Sequence, residues 1–204
     1  YTNAGKSRLM NTLTRAGVYV ENKLFSTLDT RTRQWHLKDW GKVLLSDTVG
    51  FIRDLPHHLV ASFKATLEEA RQAQLLLHVV DASNPGAEEH IKAVNKVLAE
   101  LGCDKKRTIL VLNKIDRVTD RTTLDVLRAH HPKAVAISGL MGEGIDELRE
   151  AVIEALTQDF IDAEVRMDAA QGKVLAYLTA HADIYRQEFK DNRVTIQCRV
   201  AKHL

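Results

Sequence analysis

The chain opens Tyr1-Thr2-Asn3-Ala4-Gly5-Lys6-Ser7, and the last three of these residues are a glycine, a lysine and a hydroxyl residue. They are the closing half of the pattern G-x-x-x-x-G-K-[ST]. In that pattern loop amides and a helix N-terminus cradle phosphates, the lysine neutralises their charge, and the hydroxyl takes Mg²⁺. Only four residues precede Gly5, so the pattern's first glycine falls outside this sequence. The loop reads as one cut inside its own phosphate site, and the chain as an excerpt of a longer protein.

Three further clusters have chemistry that fits such a loop. Val43-Leu44-Leu45-Ser46-Asp47 is a short apolar run ending in an acid, forty positions after Ser7, and Thr48-Val49-Gly50 follows. A carboxylate at the end of a buried strand can organise Mg²⁺. Gly50, with no Cβ, can bring its amide close to a terminal phosphate. Thr108-Ile109-Leu110-Val111-Leu112 reads as a buried parallel strand that empties into Asn113-Lys114-Ile115-Asp116. Guanine offers N1–H and an exocyclic amine as a donor pair, which one carboxylate can accept in bidentate fashion. Adenine has no such pair, so Asp116 is expected to select GTP over ATP. Asn113 is expected to tie this loop to the first one, and the Lys114 stem to lie over the base. Residues 134–138 form another apolar strand leading to Ser138-Gly139-Leu140, whose backbone is expected to finish the guanine pocket.

Phe25-Ser26-Thr27-Leu28-Asp29-Thr30 lies between the first helix and a strand near residues 34–37. A threonine there can give its hydroxyl to Mg²⁺ and its amide to the γ-phosphate, ordering the segment only when GTP is bound. Thr27 is the candidate, with Thr30 as competitor. The metal set read from the sequence is thus Ser7, Thr27 and Asp47. Strand ends with polar punctuation would explain any one of these motifs; all of them in this order argue a GTP-binding domain.

Gly50 is followed by Phe51, where many small GTPases place a water-orienting glutamine. A phenyl ring cannot hydrogen-bond that water, so no side-chain base is assigned and slow intrinsic hydrolysis is expected. Arg31, Arg33, Arg53, His57 and His58 are candidate compensators, weighed against solvated or RNA-facing roles. Phosphoryl transfer to water needs positioning and electrostatics, not a nucleophile–base pair.

The elements that must position these residues alternate. Apolar strands at 43–47, 75–80, 108–112 and 134–137 are separated by helical patterns at 59–73, 87–101, 120–130 and 145–156. In the first helical pattern Val60, Phe63 and Leu67 recur at helical spacing. Such alternation predicts an α/β, P-loop NTPase-type domain with a mostly parallel, doubly wound sheet, its ligand at the C-terminal strand ends. His78, inside an apolar strand, is read as a core histidine. Beyond residue 158 Ala163, Val165 and Met167 alternate as in a strand, and Asp168 is read as the cap of a helix reaching 182. Residues 184–189 and 194–200 then read as a hairpin turning at Asp191-Asn192. The expected division is a G domain at 1–157 and a small β-α-β-β domain at 158–204. The latter is either a docking or regulatory module or a packing extension.

With 204 residues, 45% hydrophobic and 27% charged, the composition is that of a soluble globular protein. A net charge of +2 implies no strong global pull toward nucleic acid, DNA included. RNA contacts would need local clusters such as Lys105-Lys106-Arg107 or Arg31 with Arg33. Apolar runs are a handful of residues long, far short of the roughly 20 that span a bilayer. Cys103 and Cys198 suit no metal spacing and read as free thiols of a reducing cytosol.

The phrases Tyr-Thr-Asn-Ala-Gly-Lys-Ser at 1–7, Phe-Ser-Thr-Leu-Asp at 25–29 and Asp-Thr-Val-Gly-Phe-Ile-Arg-Asp-Leu-Pro-His at 47–57 together resemble the HflX family of ribosome-associated GTPases. His78-Val79-Val80-Asp81-Ala82-Ser83 and Asn113-Lys114-Ile115-Asp116 fit the same family. The similarity covers residues 1–157 and continues less specifically into the tail. It implies a Mg²⁺-dependent GTPase that binds the large ribosomal subunit and its RNA. It also implies a cytoplasmic protein, found on the ribosome or at a membrane surface, that splits or rescues stalled ribosomes under heat or other stress. Family members carry an N-terminal domain ahead of the G domain. Two residues depart from the family pattern: Thr30 stands where proline is common, and Ser138-Gly139 where Ser-Ala is usual. The rival readings are a nucleotide-gated ribosome-binding or ribosome-assembly factor whose hydrolysis is incidental, and an ATP-using P-loop enzyme, against which Asp116 argues.

Overall fold

The computed structural model describes residues 3–14, 31–38, 40–47, 68–158 and 160–202. Their packing divides the chain into two compact units, Tyr1–Ile153 and Glu154–Leu204.

In the first unit α1 (Lys6–Thr14) starts directly after Gly5 and buries Leu9, Met10 and Leu13. Strands β1 (Arg31–Leu37) and β2 (Gly41–Asp47) pair antiparallel, from Arg31 opposite Asp47 to Leu37 opposite Gly41. Trp35 and Leu37 point into the core, while Gln34 and His36 face out, the period-two alternation of a half-buried strand. The strand expected near residue 34 therefore begins earlier. Its polar start hides it from an apolar pattern, yet Thr32 and Arg33 continue the ladder opposite Ser46 and Leu45.

A second sheet holds β3 (Leu76–Asp81), β4 (Thr108–Asn113) and β5 (Val135–Ala136), all parallel, in the order β3-β4-β5. Among the described residues the unit thus has three parallel strands and a separate antiparallel pair. Right between β3 and β4 comes α2 (Ala87–Glu100), whose Ala87, Ile91, Val94 and Leu98 recur at the four-three-four spacing of one helix face and are buried. Its first turn carries Glu88 and Glu89, which complement the positive end of the helix dipole. The helix stops at Gly102, φ +68°, where the Cys103 amide reaches back to the Leu98 carbonyl at 2.8 Å. Next, α3 (Arg121–His130) is capped by Asp120, whose side chain accepts the Thr122 amide at 2.9 Å. The core joins Val80, Ala82, Ala87, Ile91, Leu112 and Leu127. The larger of these, Val80, Ile91, Leu112 and Leu127, each add about 1.5–3 kcal/mol when fully buried. His78 is buried in β3, as read from the sequence. Of the helical pattern at 59–73, only residues 68–73 are described, and 68–72 are helical. After β5 comes α4 (Ile145–Thr157), whose Leu148 and Val152 are buried.

The second unit contains β6 (Phe160–Asp168), α5 (Gly172–His181), β7 (Asp183–Lys190) and β8 (Arg193–Ala201). Its sheet is antiparallel in the order β6-β8-β7, so the last strand lies in the middle. Asp191 and Asn192 form the turn between β7 and β8, with Asp191 at φ +54°, the left-handed conformation a two-residue hairpin loop needs. Met167, Val194, Ile196 and Cys198 are buried beneath Leu175 and Leu178 of α5. One expectation is corrected here. Asp168 does not cap α5: it ends β6, and the residue before the helix is Gln171, which makes no side-chain cap. The Asp168 carboxylate instead accepts the Ala170 amide at 2.8 Å and the Asn192 side chain at 3.1 Å, fastening the strand end to the hairpin turn.

Candidate functional site

The described motif residues of the first unit sit at the head of α1, at strand ends or in the turns that follow β4 and β5. Gly5 adopts φ +90°, and a Cβ there would lie 2.5 Å from Asn113 Nδ2, so the position excludes larger residues twice over. Asn3 is also left-handed, at φ +61°. The Leu9 amide bonds the Gly5 carbonyl at 2.9 Å and closes the first helical turn. Ser7 Oγ donates to Asp47 Oδ2 at 2.5 Å, bringing the loop's hydroxyl to the end of β2. Lys6 is half-buried; desolvation lowers its pKa, opposed by the negative charge of Asp47. A bound polyanion would add to the effect of Asp47 and favour the charged lysine. The hydroxyl of Ser7 and the buried carboxylate of Asp47 are hard oxygen donors of the kind Mg²⁺ takes. Tyr1, Thr2, the segment Phe25-Ser26-Thr27-Leu28-Asp29-Thr30, and Thr48, Val49, Gly50, Phe51, Arg53, His57 and His58 lie outside the described residues.

The second half of the site hangs on Asn113, which is only 2% exposed at the end of β4. Its Nδ2 donates to the Ala4 carbonyl at 2.8 Å, and its Oδ1 accepts the Gly139 amide at 2.9 Å. Its own carbonyl accepts the Ala82 amide at 2.8 Å. One side chain therefore joins the loop before α1, the end of β4 and the turn after β5. Lys114 follows at φ +67°, and its Nζ donates to the Asn3 carbonyl at 2.7 Å and to Asp81 Oδ2 at 2.6 Å. Asp116 is the middle residue of a short 3₁₀ turn (Ile115–Arg117), and its Oδ1 accepts Ser138 Oγ at 2.5 Å. The Met141 amide donates to the same Ser138 oxygen at 3.0 Å, so a fully buried serine fixes both the acid and the 138–142 turn. A Cβ on Gly139 would stand 3.2 Å from Asn113 Oδ1, tighter than ordinary van der Waals contact.

Arg33 donates to Asn11 Oδ1 at 3.3 Å, a bond that ties it to α1, and Arg31 is exposed. In the basic cluster Lys106 donates to the Ala73 carbonyl at 2.5 Å, a structural tether. Cys103 and Cys198 are buried free thiols. Two residues of the site escaped the sequence reading. Asp81 stands in the phrase at 78–83 that fits the HflX family but carries no role there, and its place opposite Asn113 follows from a parallel register between β3 and β4. Thr12, one helical face into α1, donates to the Gly139 carbonyl at 2.7 Å, and nothing in the sequence marks it.

An α/β unit with a lysine loop heading its first helix, and strands that deliver Asp47 and Asn113 beside that loop, has the fold of a P-loop GTPase G domain. The family model described as 50S ribosome-binding GTPase matches residues 1–114. The GTPase HflX of Magnetococcus marinus is 48% identical over 184 residues, which are 90% of this chain and 42% of that protein. The GTPase HflX of Escherichia coli is 42% identical over 202 residues, 98% of this chain and 47% of that protein. Among solved structures, a complex of SsGBP with GDP aligns with a TM-score of 0.63 at 28% identity, covering 78% of this chain and 48% of that one. The chain belongs to the 50S ribosome-binding GTPase family, among its HflX members. It spans less than half the length of these two relatives.

Proposed function

We propose that this chain is the nucleotide-handling part of a Mg²⁺-dependent GTPase switch that hydrolyses GTP to GDP and phosphate and works on the large ribosomal subunit. The observation that carries the reading is Asn113, which ties the Ala4 carbonyl and the Gly139 amide together. That bridge sets the distance between a phosphate end and a base end. In the proposed site Lys6 and the amides of residues 1–7 hold the phosphates. Asp116, aimed by Ser138, accepts the two guanine donors, and the Lys114 stem lies along the base. Residues 25–29 and 48–50 reach the γ-phosphate, and the backbone of Ser138, Gly139 and Leu140 closes the base side. Ser7, Thr27 and Asp47 would hold Mg²⁺, which when bound neutralises charge developing on the phosphate oxygens. Phe51 brings no group that orients water, so the missing polar contact comes from the ribosome, and hydrolysis is slow without it. Docking on the large subunit, and splitting or rescue of stalled ribosomes under stress, extend the same reading. Residues 1–157 are the switch, and residues 158–204 a small appended domain.

The test is GTP turnover by the complete protein, alone and with purified large subunits, beside an Asp116→Asn variant. Stimulation by subunits is expected. The variant is expected to lose GTP at least about a hundredfold, since a buried polar mismatch on a base-reading carboxylate is severe, and to gain xanthine nucleotides. Unchanged GTP affinity in the variant would refute the base-reading role. Phe51 favours one second reading, a nucleotide-gated ribosome-binding or assembly factor. Tight GTP binding with slow turnover that subunits leave unaltered would select it.

A further inference from the structure

Asp81 ends β3 directly opposite Asn113 and is used by none of the roles above. Its Oδ2 takes the Lys114 ammonium at 2.6 Å, while its Oδ1 accepts the Ser83 amide at 3.0 Å and the Ser83 hydroxyl at 2.6 Å. The two side chains are 16% and 21% exposed, so the pair is largely withdrawn from water, where a charge-assisted bond outlasts salt screening. Burial opposes ionisation of Asp81, yet the hydrogen bonds from Lys114 and Ser83 outweigh it and hold the carboxyl below its ordinary value.

The other end of the arrangement is equally fixed. Lys114 is held in a left-handed backbone, which a non-glycine residue adopts at a cost. Its Nζ also donates to the carbonyl of Asn3, itself left-handed. A four-carbon stem is thus stretched between the end of β4 and two acceptors, one in the phosphate-side loop and one on the neighbouring strand. With the Asn3 carbonyl alone, the ammonium could follow any movement of that loop. The carboxylate of Asp81, fastened to its own turn by Ser83, supplies a fixed point on the sheet.

We infer that Asp81 is a positioning residue for the base side of the nucleotide site, setting the Lys114 stem through a carboxylate that Ser83 orients. This rests on the proposed guanine-nucleotide reading of the site. It places the rigidity of the base wall in β3, through a residue that none of the phosphate, metal or base contacts above involves.

The experiment measures dissociation of fluorescent mant-GDP and mant-GTP from the complete protein, for the wild type and for Asp81→Asn, Ser83→Ala, Lys114→Met and the double variant Asp81→Asn with Lys114→Met. Loss of a hydrogen bond to a charged group predicts dissociation about tenfold faster for Asp81→Asn, by the same factor for both nucleotides. Ser83→Ala, which leaves the carboxylate and the lysine in place, is expected to accelerate dissociation about threefold, and it keeps the test valid if Asp81→Asn folds poorly. The distinguishing readout is coupling: in the Lys114→Met background Asp81→Asn should add almost nothing. Full additivity in the double variant, or unchanged dissociation for Asp81→Asn and Ser83→Ala, would overturn the inference while leaving the guanine-nucleotide reading intact. A wild-type protein that binds neither nucleotide would instead remove the reading on which the inference rests.

Discussion

Gly5→Ala and Gly102→Ala make the same chemical change at two left-handed positions, φ +90° and φ +68°, in very different surroundings. Around Gly102 nothing stands within 4 Å of a built Cβ, so that variant bears only the left-handed backbone, roughly 1–2 kcal/mol. At Gly5 the new methyl would stand 2.5 Å from Asn113 Nδ2 and must drive that side chain away. Asn113 would then release the Ala4 carbonyl and the Gly139 amide, two buried groups at about 1–3 kcal/mol each. Gly5→Ala should therefore exceed Gly102→Ala by roughly 2–6 kcal/mol. Both tryptophans, Trp35 and Trp40, belong to the first unit, so their fluorescence in a urea titration follows that unit. At a slope of about 2 kcal/mol per molar urea, the midpoints should separate by roughly 1–3 M. The measurement is made without nucleotide, so lost phosphate binding cannot produce the difference. Equal midpoint shifts for the two variants would refute the claim that Asn113 braces the loop before α1.

Two further outcomes follow from buried groups. Burial pushes the His78 imidazole down to about 4, and its Nε2 has no hydrogen-bond partner among the described residues. The unfolded chain, with a histidine near 6.5, takes the proton first, so acidification from pH 7 to pH 5 should cost about 2 kcal/mol. A His78→Leu variant should show that much less acid sensitivity in urea midpoints, and a slope matching the wild type would disprove the assignment. Cys103 lies in the first unit and Cys198 in the second, both buried. Burial also pushes the Cys198 thiol up, away from the reactive thiolate. Iodoacetamide pulses along a denaturant series should label each cysteine only as its own unit opens; rapid labelling of Cys198 in native buffer would contradict the packing.

The strand ends were legible because their chemistry is local: Ser7, Asp47, Asn113 and Asp116 announce themselves by type and spacing, and the helix faces of α2 and α3 by period. Asp81 was not, since an acid closing an apolar strand is common and its meaning comes from the register that sets it opposite Asn113. Thr12 escaped for a similar reason, because its partner, the Gly139 carbonyl, is 127 positions away. The first residues of β1 are polar and gave no apolar rhythm, though they pair as fully as the rest. Asp168 was misread because an aspartate ahead of a helix resembles a cap, whereas here the hairpin turn at Asn192 competes for the same carboxylate and wins.

The placement of β8 has a consequence for how the protein is made. Three of the four buried residues in the core cluster of this sheet, Val194, Ile196 and Cys198, come from this strand, which pairs with both β6 and β7. A growing chain that has already delivered β6, α5 and β7 still holds two strands with no ladder between them and a helix with no floor. The first unit can condense during synthesis, from its N-terminal side onward. The second cannot complete its sheet until β8 has been made, so a break in the chain before β8 would forfeit that core.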